Sequence, residues 1–351
     1  MRCRQSKKQR KKQMLKNMLP QKQSGNKVKP IAHSLLDVME DGIEFESLCK
    51  YDYQNLDLSG EIKRSIAEIE AARGKTAICY LANLFSLNNS IDGTDDLPFT
   101  EMINSVPVGV DEVDVVLVTP GGSGAQVANF VQALRNRFTT VNFIIIDKAM
   151  SAGTIFIMSG DEIVMSKESK FGPIDPQIPS RDGRFVPAQS ILLTLESIKK
   201  RGEEKIKNGG QPDWTDLQLL RQMNPFDIGG AISSSNFSIE LVTRYLRDYK
   251  FRNWVAHQTT GTPVTPRERE RRAASIATDL CNHSKWKSHS YAINRDEAWN
   301  VCQLMITHAE NIPGLDRAMR RLRALLFWMG DHLRYSKAYV SQNYYLIKGR
   351  G

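Results

Sequence analysis

Val113-Asp114-Val115-Val116-Leu117-Val118-Thr119-Pro120-Gly121-Gly122-Ser123-Gly124 decides the fold: an apolar run, then a glycine-rich turn. From Gly124 to Arg137 the apolar residues fall at Val127, Phe130, Val131 and Leu134, and a second apolar run, Val141-Asn142-Phe143-Ile144-Ile145-Ile146, follows. The runs suit strands buried on both faces, and the spacing between them suits a helix with one apolar stripe. Strand, turn, helix, strand is a βαβ crossover, so the sheet is expected to be parallel here.

Upstream, Thr76-Ala77-Ile78-Cys79-Tyr80-Leu81 reads as another buried strand, preceded by apolar positions at helical spacing over residues 61–70 and a helix end near Gly74. Downstream, a helix is expected directly after Ser151, and Glu162-Ile163-Val164-Met165 supplies a further strand. Beyond about residue 188 the pattern turns helical, with segments at 190–207, 238–249, 267–280, 297–310 and 315–328. The expected plan is a basic tail over residues 1–30, an α/β core over 35–185, and a helical extension over 186–351 that packs on the core.

Apolar residues make up 41% of the 351, enough to bury a real core. The formal charge of +9 belongs to the tail: residues 1–30 hold eleven Lys and Arg and no Asp or Glu, which leaves the remainder slightly acidic. That composition reads as a disordered, solvated segment, or as an electrostatic hook for nucleic acid or an anionic membrane surface. No aromatic residue interleaves with these charges, which argues against base stacking. Cys3, Cys49, Cys79, Cys281 and Cys302 form no CxxC pair and no metal-ligand spacing. With no apolar run of membrane-spanning length and no signal-peptide core, a reducing cytoplasmic setting is expected.

Chemistry is expected at two turns. In Thr119-Pro120-Gly121-Gly122-Ser123-Gly124 the backbone amides and the start of a helix favour an anion, and glycine lets a substrate approach closely. Neither GxxxxGK[ST] nor GxGxxG is present, so this is not a nucleotide loop of those kinds. In Asp147-Lys148-Ala149-Met150-Ser151-Ala152-Gly153-Thr154 a serine flanked by small residues sits between a strand and an apolar helix. Such a serine is ordinarily a helix cap; on a sharp turn it is instead an exposed nucleophile beside an amide that stabilises developing charge.

Together, Pro120-Gly121-Gly122 and Ala149-Met150-Ser151-Ala152-Gly153-Thr154 resemble the oxyanion loop and nucleophile turn of Clp-protease/crotonase-fold peptidases. Ser159-Gly160-Asp161-Glu162-Ile163, Phe171-Gly172-Pro173-Ile174-Asp175-Pro176-Gln177, His283-Ser284-Lys285-Trp286-Lys287-Ser288-His289 and Ile293-Asn294-Arg295-Asp296-Glu297 are similar to the serine dehydrogenase proteinase family, relatives of the signal-peptide peptidase A group. The resemblance spans roughly residues 60–305. It implies a Clp-protease/crotonase-like α/β fold of repeated ββα units with a mostly helical C-terminal extension. It further implies a serine peptidase in which Ser151 attacks the scissile carbonyl while the amides of Gly121 or Gly122 and of Ala152 hold the oxyanion. A polypeptide substrate, a homo-oligomer and no cofactor or metal go with it.

The base is open at this level. The Clp-protease pattern would place a His about twenty-five residues after the nucleophile, but the histidines are His33, His257, His283, His289, His308 and His332, and the window holds Asp175 instead. The signal-peptide peptidase relatives use a Lys, which must be desolvated to act. Lys199, Lys200, Lys205 and Lys207 lie in range, while the positions that align most directly are Gln189 and Pro212. Lys207 is preferred, because Ile206-Lys207-Asn208-Gly209-Gly210 resembles the segment before the family lysine. His283 or His289 brought back over Ser151, and Asp175 as the group that orients a base, are the alternatives. A catalytically inactive peptide-binding scaffold is the rival function. A crotonase-type thioester enzyme fits less well, because that chemistry needs no serine on this turn.

Overall fold

The computed structural model describes residues 29–179, 183–257 and 259–349. Apart from its last two residues, the basic tail lies outside them. Two short parallel strands, β1 (Ile31–Ala32) and β2 (Asp52–Tyr53), flank α1 (Glu44–Cys49). Helix α2 (Leu58–Arg73) is capped by Asp57, whose carboxylate accepts from Gly60 N–H, and closes on Gly74 at φ +65°, a left-handed position that glycine takes at little cost. Then β3 (Thr76–Ala82), α3 (Asp96–Asn104), β4 (Glu112–Thr119), α4 (Gly124–Arg137), β5 (Thr140–Ala149), α5 (Ala152–Ile157) and β6 (Glu162–Met165) follow, and the four strands pair in parallel in that order.

After β6, β7 (Lys170–Phe171) pairs with the end of β5, and β8 (Gln177–Pro179) with β9 (Phe185–Pro187) forms a separate antiparallel pair. The helical part contains α6 (Ala188–Lys207), α7 (Trp214–Gln222), α8 (Pro225–Tyr245), α9 (Pro266–Cys281), α10 (His283–Trp286) and α11 (Arg295–Asn300). The chain then re-enters the sheet. Strand β10 (Thr307–His308) adds in parallel to β6; after α12 (Leu315–His332), β11 (Lys337–Val340) pairs antiparallel with β3, and β12 (Tyr345–Lys348) closes the edge.

Alternation along the strands divides the interior into two layers. Val113, Val115 and Leu117 of β4 and Val141, Phe143 and Ile145 of β5 face α3, α4, α5, α8 and α9. Val116, Val118, Ile144 and Ile146 face α1, α2 and α12 on the other side. Both faces are buried, which is why these strands read as unbroken apolar runs.

The C-terminal part is mostly helical as expected, with differences in detail. The helix read over 297–310 stops at Asn300: Gln303 takes φ +52°, and the β-branched pair Ile306-Thr307 leads into β10. Strands β10 to β12 were not read from the sequence at all. Strands of two to four residues are too short to leave a distinct apolar run, and buried Lys337 interrupts the pattern in β11.

Candidate active site

Both glycine-rich and serine turns lie at the C-terminal ends of neighbouring strands. Past β4, Gly121 and Gly122 take φ +102° and +140°. A side chain on Gly121 would collide with Met150 O at 2.6 Å and Ser151 Cβ at 2.8 Å; one on Gly122 would meet Ile91 O at 2.3 Å. Ile91 N–H donates to Gly121 O at 2.7 Å and Ile91 O accepts from Ser123 N–H at 2.8 Å, so residue 91 pins both sides of Gly122. Gly121 N–H is turned onto Thr119 Oγ1 at 3.1 Å. Gly122 N–H has no acceptor among the described residues. Ser123 caps α4 through Gln126 N–H.

Ser151 behaves differently from Ser123. It takes φ +52°, ψ −115°, and its side chain makes no capping bond. A conformation of this kind costs a non-glycine residue about 1–3 kcal/mol and persists only where its surroundings impose it. Met150 N–H donates to Thr119 O at 3.0 Å, Gly153 N–H to Met150 O at 2.7 Å and Thr154 N–H to Ser151 O at 2.8 Å. Gly153 lets α5 press onto β4, since a side chain there would lie 2.4 Å from Thr119 Cγ2. Ala152 opens α5, so its N–H has no intrahelical acceptor.

Thr154 ties this turn to the segment after β7: its Oγ1 lies 2.9 Å from Ala149 O and 2.8 Å from Gly172 O, and accepts from Gly172 N–H at 3.0 Å. Phe171 and Ile293 exchange backbone hydrogen bonds at 3.0 and 2.8 Å in an isolated antiparallel bridge, which ties the chain just after the 289–290 turn to the segment after β7. Met150 packs against Gly172 next to Tyr291 O.

The turn before that bridge carries His289, whose side chain reaches Asp175. The Asp175 carboxylate is fully buried and holds two imidazoles, His289 Nδ1 at 2.8 Å and His283 Nδ1 at 2.9 Å. Each ring keeps its Nε2 away from the carboxylate. Gln189 braces the cluster, accepting from His283 N–H at 2.8 Å and placing Nε2 3.7 Å from Cys281 Sγ. Burial, with the Asp175 charge adding to it, pushes the Cys281 thiol up to about 12, so it stays protonated there.

The lysines are elsewhere. Lys207 is exposed at the far end of α6, about 28 Å along the helix axis from Ala188, whose N–H donates to Pro176 O. Lys199 and Lys200 are also exposed, and Lys205 pairs with Asp213. None of the four is desolvated as a lysine base must be, so the preference for Lys207 finds no structural counterpart. Burial does lower one lysine, Lys250, to about 8, but it faces Asp161 and Glu162 at the start of β6, the opposite end of the strands from Ser151. No hydrogen bond joins Ser151 Oγ to an imidazole or ammonium among the described residues.

Residues 91–210, which carry both turns and Asp175, match the model of the ClpP-like SDH-type serine proteinases. Over this stretch the chain is similar to that family. The SDH-type match meets the expectation from the motifs, and the architecture is a Clp/crotonase-like α/β fold with a helical extension. The matched family is one of serine proteinases. Two uncharacterized proteins of Methanocaldococcus jannaschii are similar, one 31% identical over 148 residues (40% of this chain, 48% of that protein), the other 30% identical over 93 residues (26% and 30%). The chain thus spans about half or less of the length of these curated relatives. Among solved structures, the 1510-N membrane-bound stomatin-specific protease is 15% identical, with TM-score 0.37 over 62% of this chain and 70% of that one. The ClpP protease catalytic domain from Plasmodium falciparum is 12% identical, with TM-score 0.24 over 33% and 60%.

The pairing of Asp175 with His283 and His289 was reached in the sequence only as separate alternatives. A signal existed in two histidines six residues apart within a family-like segment.

Proposed function

We propose that this chain is a serine endopeptidase in which Ser151 is the nucleophile, an imidazole held by Asp175 is the base, and the N–H groups of Gly122 and Ala152 receive the oxyanion. The observation that carries the reading is the uncapped, strained Ser151 at the head of α5, with a buried carboxylate gripping two imidazoles on the adjoining segment. Gly122 is favoured over Gly121 because the Gly121 N–H is already bound to Thr119. His289 is favoured over His283 because its loop is tied to the segment on which Met150 packs, whereas His283 is braced by Gln189.

In this scheme Asp175 accepts Nδ1–H and leaves Nε2 to take the proton from Ser151 Oγ as the Oγ–carbonyl bond forms. The tetrahedral oxyanion rests on two amides, each worth about 3 kcal/mol in comparable sites. The imidazolium returns its proton to the departing amine, and water then releases the acyl group by the same base. Since apo geometry at such sites is often loose, the lack of a Ser151–imidazole hydrogen bond is compatible with this scheme.

Ser151→Ala should abolish hydrolysis of a casein-type substrate, a loss on the order of 10⁶-fold by analogy with other serine nucleophiles, with an unchanged melting temperature. Retained activity would overturn the assignment. The unmade Ser151–imidazole bond also favours a second reading, a peptide-binding scaffold without turnover. A fluorophosphonate that modifies Ser151 supports the peptidase, and inertness of the folded protein supports the scaffold.

A polypeptide substrate, a cytoplasmic setting and homo-oligomeric assembly belong to the same proposal. Exposed Trp214, Leu217, Leu219 and Phe226, close together in sequence on α7 and α8, support the last, since large apolar side chains grouped at a surface mark an interaction face. A monomer by light scattering would contradict it. No described helix is long and apolar enough to cross a membrane.

A further inference from the structure

A buried ionic cluster lies behind the oxyanion loop, and the proposed catalysis does not use it. Asp95 is fully buried and accepts from Tyr339 OH at 2.6 Å, Lys337 Nζ at 2.7 and 2.8 Å, and Tyr80 OH at 3.0 Å. Asp92 N–H also donates to it at 3.0 Å, and Lys348 Nζ approaches at 3.3 Å. Lys337, equally buried, reaches Asp92 Oδ2 at 3.2 Å. The members come from β3, β11, β12 and the segment before α3, so the cluster joins parts of the chain more than 240 residues apart.

Stability alone is a poor reason for such a cluster, because replacing a buried ion pair with well-packed apolar residues often leaves a protein equally or more stable. What the cluster holds is informative. Asp92 and Asp95 bracket the turn that begins directly after Ile91, and Ile91 grips Gly121 and Ser123 on either side of Gly122. Gly122 lies so close to Ile91 that a side chain on it would collide with the Ile91 backbone.

We propose that the Asp95–Lys337 cluster is a positioning device for the Gly122 N–H, fixing through Ile91 where the oxyanion is received. This rests on the peptidase reading for its catalytic consequence, but not for its structural one. A displacement near 1 Å can cost about 10²-fold in rate, and an oxyanion donor acts on the transition state more than on the bound substrate. The cluster should therefore govern kcat and leave KM almost alone.

The test compares the wild-type chain with Asp95→Asn/Lys337→Met, which removes both charges and keeps their shape, and with Asp92→Asn, which lies nearer the surface and preserves the fold should the first fail. Hydrogen–deuterium exchange at residues 119–124 is measured with kcat and KM on a peptide substrate. The expected result is faster exchange at 119–124, a kcat at least tenfold lower, a KM within about twofold and exchange in β4 and β5 as in the wild type. Unchanged exchange at 119–124 overturns the proposal, and so does faster exchange with an unchanged kcat. If the wild type neither turns over nor reacts with fluorophosphonate, the peptidase reading falls, and exchange at 119–124 alone decides whether the cluster holds the loop.

Discussion

Single residues at the two turns leave little freedom for substitution. Gly121→Ala would need a side chain at φ +102° and 2.6 Å from Met150 O, so it should abolish fluorophosphonate labelling and lower the melting temperature. Asp175→Asn should keep the fold but spoil the imidazole tautomer, with kcat falling by about 10⁴-fold, as in other triads. His289→Ala should lose more kcat than His283→Ala; the reverse order would exchange their roles. At Asp92, burial pushes the carboxyl up, but hydrogen bonds from Thr94 and Lys337 outweigh it and hold it at about 2, below its ordinary 3.8. A depressed carboxyl contributes stability that is present above its unfolded value and is lost as pH falls through the folded one. The melting-temperature gap between the wild type and Asp92→Asn should thus shrink between pH 4 and pH 2, and a gap independent of pH in that window would count against it.

Secondary-structure elements were legible wherever burial was one-sided or complete over several residues. The runs at 76–81, 113–118, 141–146 and 162–165 became β3 to β6 because strands covered on both faces need apolar residues throughout. The helix at 267–280 became α9, with Thr265 and Glu268 forming the capping box. Helix α7 was missed, since three exposed leucines and an exposed tryptophan obscure its stripe. The serine turn could be read because strand, small residues and helix are contiguous. The Asp175 cluster could not, because its histidines arrive from 108 and 114 residues away and nothing local marks the meeting. Thr154 joins the two parts, so Thr154→Val, which removes its buried bonds to Ala149 and Gly172, should cost about 1–3 kcal/mol in urea denaturation and weaken labelling of Ser151.

For the molecule as a whole, the sheet is completed late in the sequence. Strand β3 is an outer edge until β11 pairs with it, and β11 then carries β12. Contacts of such long separation form slowly, because loop-closure entropy is lost before the pairing is gained. During synthesis, a chain that has emerged only as far as residue 330 can shape the serine turn from neighbouring segments, but it lacks Lys337 and the strand that carries it. On the peptidase reading, the nucleophile would exist in the nascent polypeptide before the site proposed to stabilise its intermediate is set. Hydrolytic competence would then arrive only with the last long-range pairing, and a ribosome-tethered fragment would be spared from cutting itself or its neighbours.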